Sequence, residues 1–284
     1  MKGLINIGNS CYLNAALQMI LQNIDLCNLI LKYGDYTEKL IIFKNFIIEY
    51  HQNNSNNIIN PIQIKQLLDQ RLTNFIGNDQ HDPTEVIPFI LDIIELELKN
   101  ICRIGEFKKI FDIDYNQRIK CKRRDCLNIS ERIEKNYYIL LSMDENCKTL
   151  DDLYTKTFNR EMFDEENKYF CEQCQKNSVA SKKIKIELNS NSMIIGLNRY
   201  IYDKNTNSIN KNNQDIDIPL EWKFDTYLQN AIIHYGFAEG GHYISLGRFN
   251  NKWYSFNDTN ISEINENQLS NLLRKAYCLY YVKK

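Results

Sequence analysis

Gly3-Leu4-Ile5-Asn6-Ile7-Gly8-Asn9-Ser10-Cys11-Tyr12-Leu13-Asn14-Ala15-Ala16-Leu17-Gln18 is a turn that runs into a helix, with a cysteine at the junction. Leu13, Ala16, Leu17, Ile20 and Leu21 repeat at the spacing of one helix face. Gly8-Asn9-Ser10 supplies the turn before it. A thiol at the first helical position faces free amide N–H groups and the positive end of the helix, and both favour a thiolate. That is the setting of a cysteine nucleophile. A buried small hydrophobe is the bland alternative, and position alone leaves it open.

A nucleophilic cysteine needs a base, an orienter for that base and donors for an oxyanion. The chain has four histidines. His51 adjoins a polar loop, and His234 falls inside an apolar strand pattern. His242 follows Glu239-Gly240-Gly241 and opens the strand pattern Tyr243 to Phe249. Trp253-Tyr254-Ser255-Phe256 leads on to Asn257-Asp258. Asn250-Asn251 is a hairpin turn signal. A hairpin there puts His242 and Asn257 at facing ends of two strands, as a base and its orienter must be. A hydrogen-bonded sheet histidine is the competing reading of His242.

The first hundred residues read as helical and the remainder mostly as strands, which predicts an α+β fold. Asn60-Pro61 predicts a helix start followed by Leu67, Leu68, Leu72 and Phe75 at helical spacing. Asp82-Pro83-Thr84-Glu85 predicts another start, with Asp82 as cap and a capping-box pattern. Pro88 conflicts with a continuous helix there, at a cost of ~3 kcal/mol. Strands are expected at Ile184 to Leu188, Met193 to Leu197, Ala231 to Tyr235, His242 to Phe249, Lys252 to Phe256 and Ala276 to Val282.

At 284 residues and 33.7 kDa the chain can bury a sizeable core. Lys plus Arg number 35 and Asp plus Glu 36, so a strongly basic nucleic-acid binder is excluded. No apolar run is long enough to span a bilayer, and glycines and asparagines interrupt any leader-like core at the start. A reducing compartment is therefore expected, with the nine cysteines as thiols, metal ligands or a nucleophile. Cys121-x4-Cys126 and Cys171-x2-Cys174 are two pairs spaced as metal-binding knuckles, although unrelated thiol pairs in turns would look the same. Lys120, Lys122, Arg123 and Arg124 beside the first pair read as a solvated face.

Residues 3–18 resemble the cysteine box of the ubiquitin-specific proteases, written GLxNxGNTCYMNSxLQ. Gly240-Gly241-His242-Tyr243 and Trp253 through Asp258 resemble the same family's histidine box. Asp79-Gln80-His81-Asp82-Pro83-Thr84-Glu85-Val86 resembles its QQDAxEF segment, and Gly196-Leu197-Asn198-Arg199-Tyr200 its LKRF strand. The resemblance implies a papain-like cysteine protease fold: one catalytic domain with a mainly helical thumb (1–110), fingers with a zinc ribbon (111–190) and an antiparallel palm (191–284). It implies Cys11 as nucleophile, His242 as base, Asn257 as orienter with Asp258 assisting, and Asn6 as oxyanion donor. Asp82, Gly241 and Tyr243 would contact the extended tail of ubiquitin. Cys121, Cys126, Cys171 and Cys174 would hold a structural zinc, the wider first pair being a departure from the usual x2 spacing.

The reaction so implied is hydrolysis of the isopeptide or peptide bond after the ubiquitin C-terminal glycine, through a thioester. A protease for another ubiquitin-like modifier, or a catalytically silent ubiquitin-binding module, are the alternatives. The expected partners are ubiquitin and its conjugates, with no nucleic acid and no membrane. A monomer in the cytoplasm or nucleus of a eukaryotic cell is expected, encoded by a protist or a virus given the Asn, Ile and Lys bias.

Overall fold

The computed structural model describes residues 1–52, 57–70, 79–203, 207–237 and 240–284. The helical front is present. Its first helix, Cys11–Leu21, is buried along its whole length and is packed on the strand Gly240–Phe249. Its two amide side chains are buried with it and are hydrogen-bonded there, Asn14 to the Asp258 carboxylate and Gln18 to Lys2 O. Around it lie Ile24–Tyr33, Glu38–His51, Ile62–Asp69, Pro83–Asn100 and Ile104–Ile110. Asn23 and Thr37 cap two of these by accepting from Leu26 N–H and Thr37's third neighbour Leu40 N–H.

The helix expected after Asn60-Pro61 begins at Ile62, whose N–H bonds Asn60 Oδ1. Leu72 and Phe75 lie outside the described residues. Asp82 caps the helix Pro83–Asn100 through Thr84 N–H at 2.8 Å. The helix runs through Pro88 without stopping. Proline removes one ladder bond, but Val86, Ile87, Ile90, Leu91, Ile93 and Ile94 are all buried. Tertiary burial on that scale outweighs a ~3 kcal/mol local defect.

The palm is one sheet in the order Asn260–Ile264, Lys252–Asn257, Gly240–Phe249, Thr226–Phe237, Ala276–Lys283, Ser192–Asn198, Tyr138–Ser142. It is antiparallel except for the last pair, where Tyr138–Ser142 runs parallel to Ser192–Asn198. Alternate residues separate two cores. Ile194, Ile232, Cys278 and Tyr280 face the helices. Ile195, Ile233, Leu279 and Tyr281 face the small helices Leu150–Thr157 and Glu266–Leu273.

The hairpin at Asn250-Asn251 is as expected, with φ of 48° and 63°. Two successive left-handed residues match the twist of paired strands, and asparagine tolerates them. A second sheet, Ile129–Asn136, Ile113–Cys121, Ala180–Leu188 and Glu161–Phe163, extends away from the palm. Among the described residues no helix is long and apolar enough to cross a membrane.

Candidate active site

The turn before Cys11 is built from residues that accept positive φ: Gly8 at 104° and Asn9 at 48°. The Asn6 side chain closes it. Asn6 Oδ1 accepts from Gly8 N–H at 3.2 Å and from Ser10 N–H at 3.1 Å. Cys11 is thereby set at the first position of its helix. Burial pushes the thiol above its ordinary range. The N–H groups of Tyr243, Tyr12 and Cys11 oppose this, and the Asp258 charge adds to it. The resting group is a thiol, so the helix end alone does not produce the thiolate.

Tyr243 N–H points at the Cys11 sulfur, which places the sulfur one residue along the strand from His242. His242 Nε2 and Asn257 Oδ1 are 2.7 Å apart. An amide oxygen only accepts, so Nε2 donates the hydrogen and Nδ1 is left free of Asn257. The register pairs Ser245 with Phe256 and continues to place Asn257 opposite Ile244. His242 and Asn257 are thus diagonal neighbours on one sheet face, near-opposite as expected.

Asp258 is turned elsewhere. It sits at φ 50° in the tight turn joining Lys252–Asn257 to Asn260–Ile264. Its carboxylate accepts from Asn6 Nδ2 at 2.9 Å and Asn14 Nδ2 at 2.7 Å. Its carbonyl accepts from Leu4 N–H. A Cβ on Gly3 would meet Thr259 O at 2.4 Å, so glycine permits this close approach. The neighbouring pair Asn257 and Asp258 therefore divides: the first holds His242 and the second holds Asn6.

Gln80, to which the motif resemblance assigns no role, joins the loop before Asp82 to the His242 strand. Its Oε1 accepts from Gly241 N–H at 2.9 Å, and its Nε2 donates to Gly241 O at 2.6 Å. The same Nε2 is 4.0 Å from Cys11 Sγ. One amide thus clamps the His242 strand to the loop before Asp82. Gly241 cannot be larger: a Cβ would meet Tyr235 O at 2.1 Å and His234 Nε2 at 2.2 Å. Tyr243 is buried, its ring stacked on His234 at 4.2 Å and its hydroxyl 3.0 Å from that of Tyr200. Burial, with Lys211 and His242, pulls His234 down to about 4, so it is a neutral core histidine. Burial also raises the Asp82 carboxyl, against the pull of Thr84 N–H.

At the tip of the fingers the Sγ atoms of Cys121, Cys126, Cys171 and Cys174 lie within 4.8 Å of one another. Cys126 and Cys171 are 3.7 Å apart. Metal–sulfur bonds of ~2.3 Å in a tetrahedron require sulfur separations of roughly 3.8 Å. The donor set therefore fits a metal ion. Amide N–H groups of Cys174 and Gln173 help pull the Cys171 thiol down to about 7. The x4 spacing is absorbed by a turn in which Cys126 N–H and Leu127 N–H both bond Arg123 O, with Leu127 at φ 51°. Lys120, Lys122 and Arg124 are solvated, and Arg123 pairs with Asp125 at 2.7 Å.

The family model for ubiquitin carboxyl-terminal hydrolases matches residues 2–281, and the chain belongs to that family, in its ubiquitin-specific protease branch. It is 26% identical to ubiquitin carboxyl-terminal hydrolase 16 of Arabidopsis thaliana, over 99% of this chain and 30% of that protein. It is 22% identical to ubiquitin carboxyl-terminal hydrolase 21 of Rattus norvegicus, over 98% of this chain and 61% of that one. The chain thus spans about a third of the first relative's length and under two thirds of the second's. The fold is similar to the structure of the SAGA Ubp8/Sgf11/Sus1/Sgf73 DUB module bound to ubiquitin aldehyde. The TM-score is 0.84 at 20% identity, covering 100% of this chain and 70% of the other. A papain-like fold with helical thumb, β palm and four-cysteine fingers is the architecture.

Proposed function

We propose that the protein is a thiol-dependent deubiquitinase in which Cys11, His242 and Asn257 act as nucleophile, base and orienter. The observation that carries this is the 2.7 Å His242–Asn257 contact beside a Cys11 sulfur met by Tyr243 N–H. Because the resting sulfur is protonated, His242 works as a general base. Nδ1 takes the thiol proton as Sγ bonds to the carbonyl carbon of the ubiquitin C-terminal glycine. The oxyanion is met by the second Nδ2 hydrogen of Asn6 and by N–H groups at the helix start. As the carbon–nitrogen bond breaks, His242 returns the proton to the departing amine. A water, deprotonated by the same imidazole, then hydrolyses the thioester. Asn257 fixes the tautomer but adds no charge.

Cys121, Cys126, Cys171 and Cys174 would hold one zinc ion. A four-thiolate site leaves no open position, so its contribution is structural. The test of the reaction is a set of C-terminal electrophile probes made from ubiquitin and from other ubiquitin-like modifiers. Ubiquitin probe is expected to label wild type and not Cys11→Ala. Labelling only by another modifier, or ubiquitin binding without labelling, overturns this reading.

Asp82 would add a contact to the extended ubiquitin tail, a role suggested by its half-buried carboxyl, which desolvation makes a weaker acid, near the Tyr200 and Tyr243 hydroxyls. Asp82→Ser keeps a helix cap. It is expected to raise KM for ubiquitin substrates several-fold with kcat and thermal midpoint nearly unchanged. An unchanged KM would leave Asp82 as a cap alone.

A further inference from the structure

The strand Ala180–Leu188 lies between Ile113–Cys121 and the three-residue strand Glu161–Phe163. The short strand covers only Ala180, Ser181 and Lys182. Beyond Lys182 that side of the sheet is an open edge among the described residues. Which backbone groups point out follows from two bonds. Lys122 N–H donates to Val179 O and Asn189 N–H donates to Asp112 O, so odd residues of the strand bond inward to Ile113–Cys121. Even residues therefore present N–H and C=O outward. Leu188 O is taken by Lys283. Ile184 and Ile186 are left with outward groups and no ladder partner.

A cleft of about 610 Å³ opens along this edge. Tyr154 and Phe158 form its apolar wall. Arg160, Lys183, Lys185 and Lys223 also line it, and no carboxylate does. Lys185 and Lys223 have partners in Glu187 and Asp151. Among the described residues neither Arg160 nor Lys183 has an ion-pair partner. Lysine on an edge strand also guards against aggregation. That function alone requires neither a cleft beside the edge nor two aromatic rings in it.

We infer that this edge is a docking site for an extended acidic peptide segment, which adds a strand alongside residues 183–187. The peptide's backbone would bond Ile184 and Ile186. Its carboxylates would lie opposite Lys183 and Lys185, on the exposed face, and alternate apolar side chains would enter the cleft against Phe158 and Tyr154. Ladder bonds supply affinity in this mode and alternate side chains supply selectivity. The edge belongs to the fingers sheet and depends on none of the catalytic assignments.

The test is titration of the full chain with a peptide of about seven residues alternating Glu and Val, a length typical of an added strand. Saturable binding is expected, with amide shifts confined to 183–187, 154–160 and Lys223. Lys183→Glu should weaken it about tenfold while leaving hydrolysis of a short substrate carrying only the ubiquitin tail unchanged, since the reversed charge repels the peptide's carboxylates. N-methylation of the peptide amides that face the edge should weaken it at least as much, because it removes ladder donors. Absence of saturation, equal binding of the N-methylated peptide, or equal binding of an oligonucleotide of the same charge would overturn the proposal.

Discussion

Replacing Cys171 by Ser is expected to melt the tip of the fingers while leaving the catalytic centre assembled. The strands Tyr169–Cys171 and Lys176–Ser178 are three residues each and, among the described residues, pair only with one another. Isolated hairpins of that size are unstable in water. A structural zinc contributes roughly 10–16 kcal/mol in small sites, far more than this hairpin can supply. Cys171 is the ligand whose removal should matter most. It is fully buried, it lies 3.7 Å from Cys126, and backbone N–H groups favour its thiolate. Elemental analysis should find one zinc per wild-type chain and almost none in the variant. Limited proteolysis should then cut between residues 121 and 178. Affinity for whole ubiquitin should fall, whereas a short substrate carrying only the ubiquitin tail should be cleaved as before. Pure wild-type protein free of zinc would refute the assignment. Equal loss on both substrates would show that the fingers and the catalytic centre are one cooperative unit.

Asn6→Ala is expected to lower kcat by about 10²–10³, with KM nearly unchanged, because a single oxyanion donor is worth that much. The geometry adds a second, separable effect. Asn6 Oδ1 also closes the Gly8–Ser10 turn, and Asn6 Nδ2 is aimed by the Asp258 carboxylate. Asn6→Asp keeps an acceptor for the turn but loses the donor. Its kcat should fall as far as that of the alanine variant, and its thermal midpoint at least as far, because the new carboxylate meets that of Asp258 where a donor stood at 2.9 Å. Asp258→Ala removes the aim, and its effect should be markedly less than additive with Asn6→Ala in a double-mutant cycle. A full kcat in Asn6→Ala would remove Asn6 from the oxyanion site. Additivity would make Asp258 a bystander to it.

Much of this was local and therefore legible. Cys11 at a helix start, Asp82 as a cap and the Asn250-Asn251 hairpin each follow from a few adjacent residues whose backbone preferences agree. The paired cysteines suggested a cluster by spacing, left open against unrelated thiol pairs until the fold brought the four sulfurs together. Within 191–284 the palm strands pair antiparallel as expected, but that Tyr138–Ser142, from the stretch 111–190, joins their sheet in parallel was not legible, because strand order is not encoded in any one strand. Pro88 conflicted with a continuous helix, and burial of the helix outweighed that local cost.

By itself the order of residues determined the local conformations: which segments coil into helices, where they are capped, and where two strands must turn back. Only the tertiary structure decided that Asn257 serves His242 while its neighbour Asp258 serves Asn6. It alone also set Gln80 against Gly241, 161 positions away. The physical reason is range. Backbone preference and periodicity act over a few residues, whereas these partners are chosen by sheet register and by a left-handed turn that swings one carboxylate off the strand face.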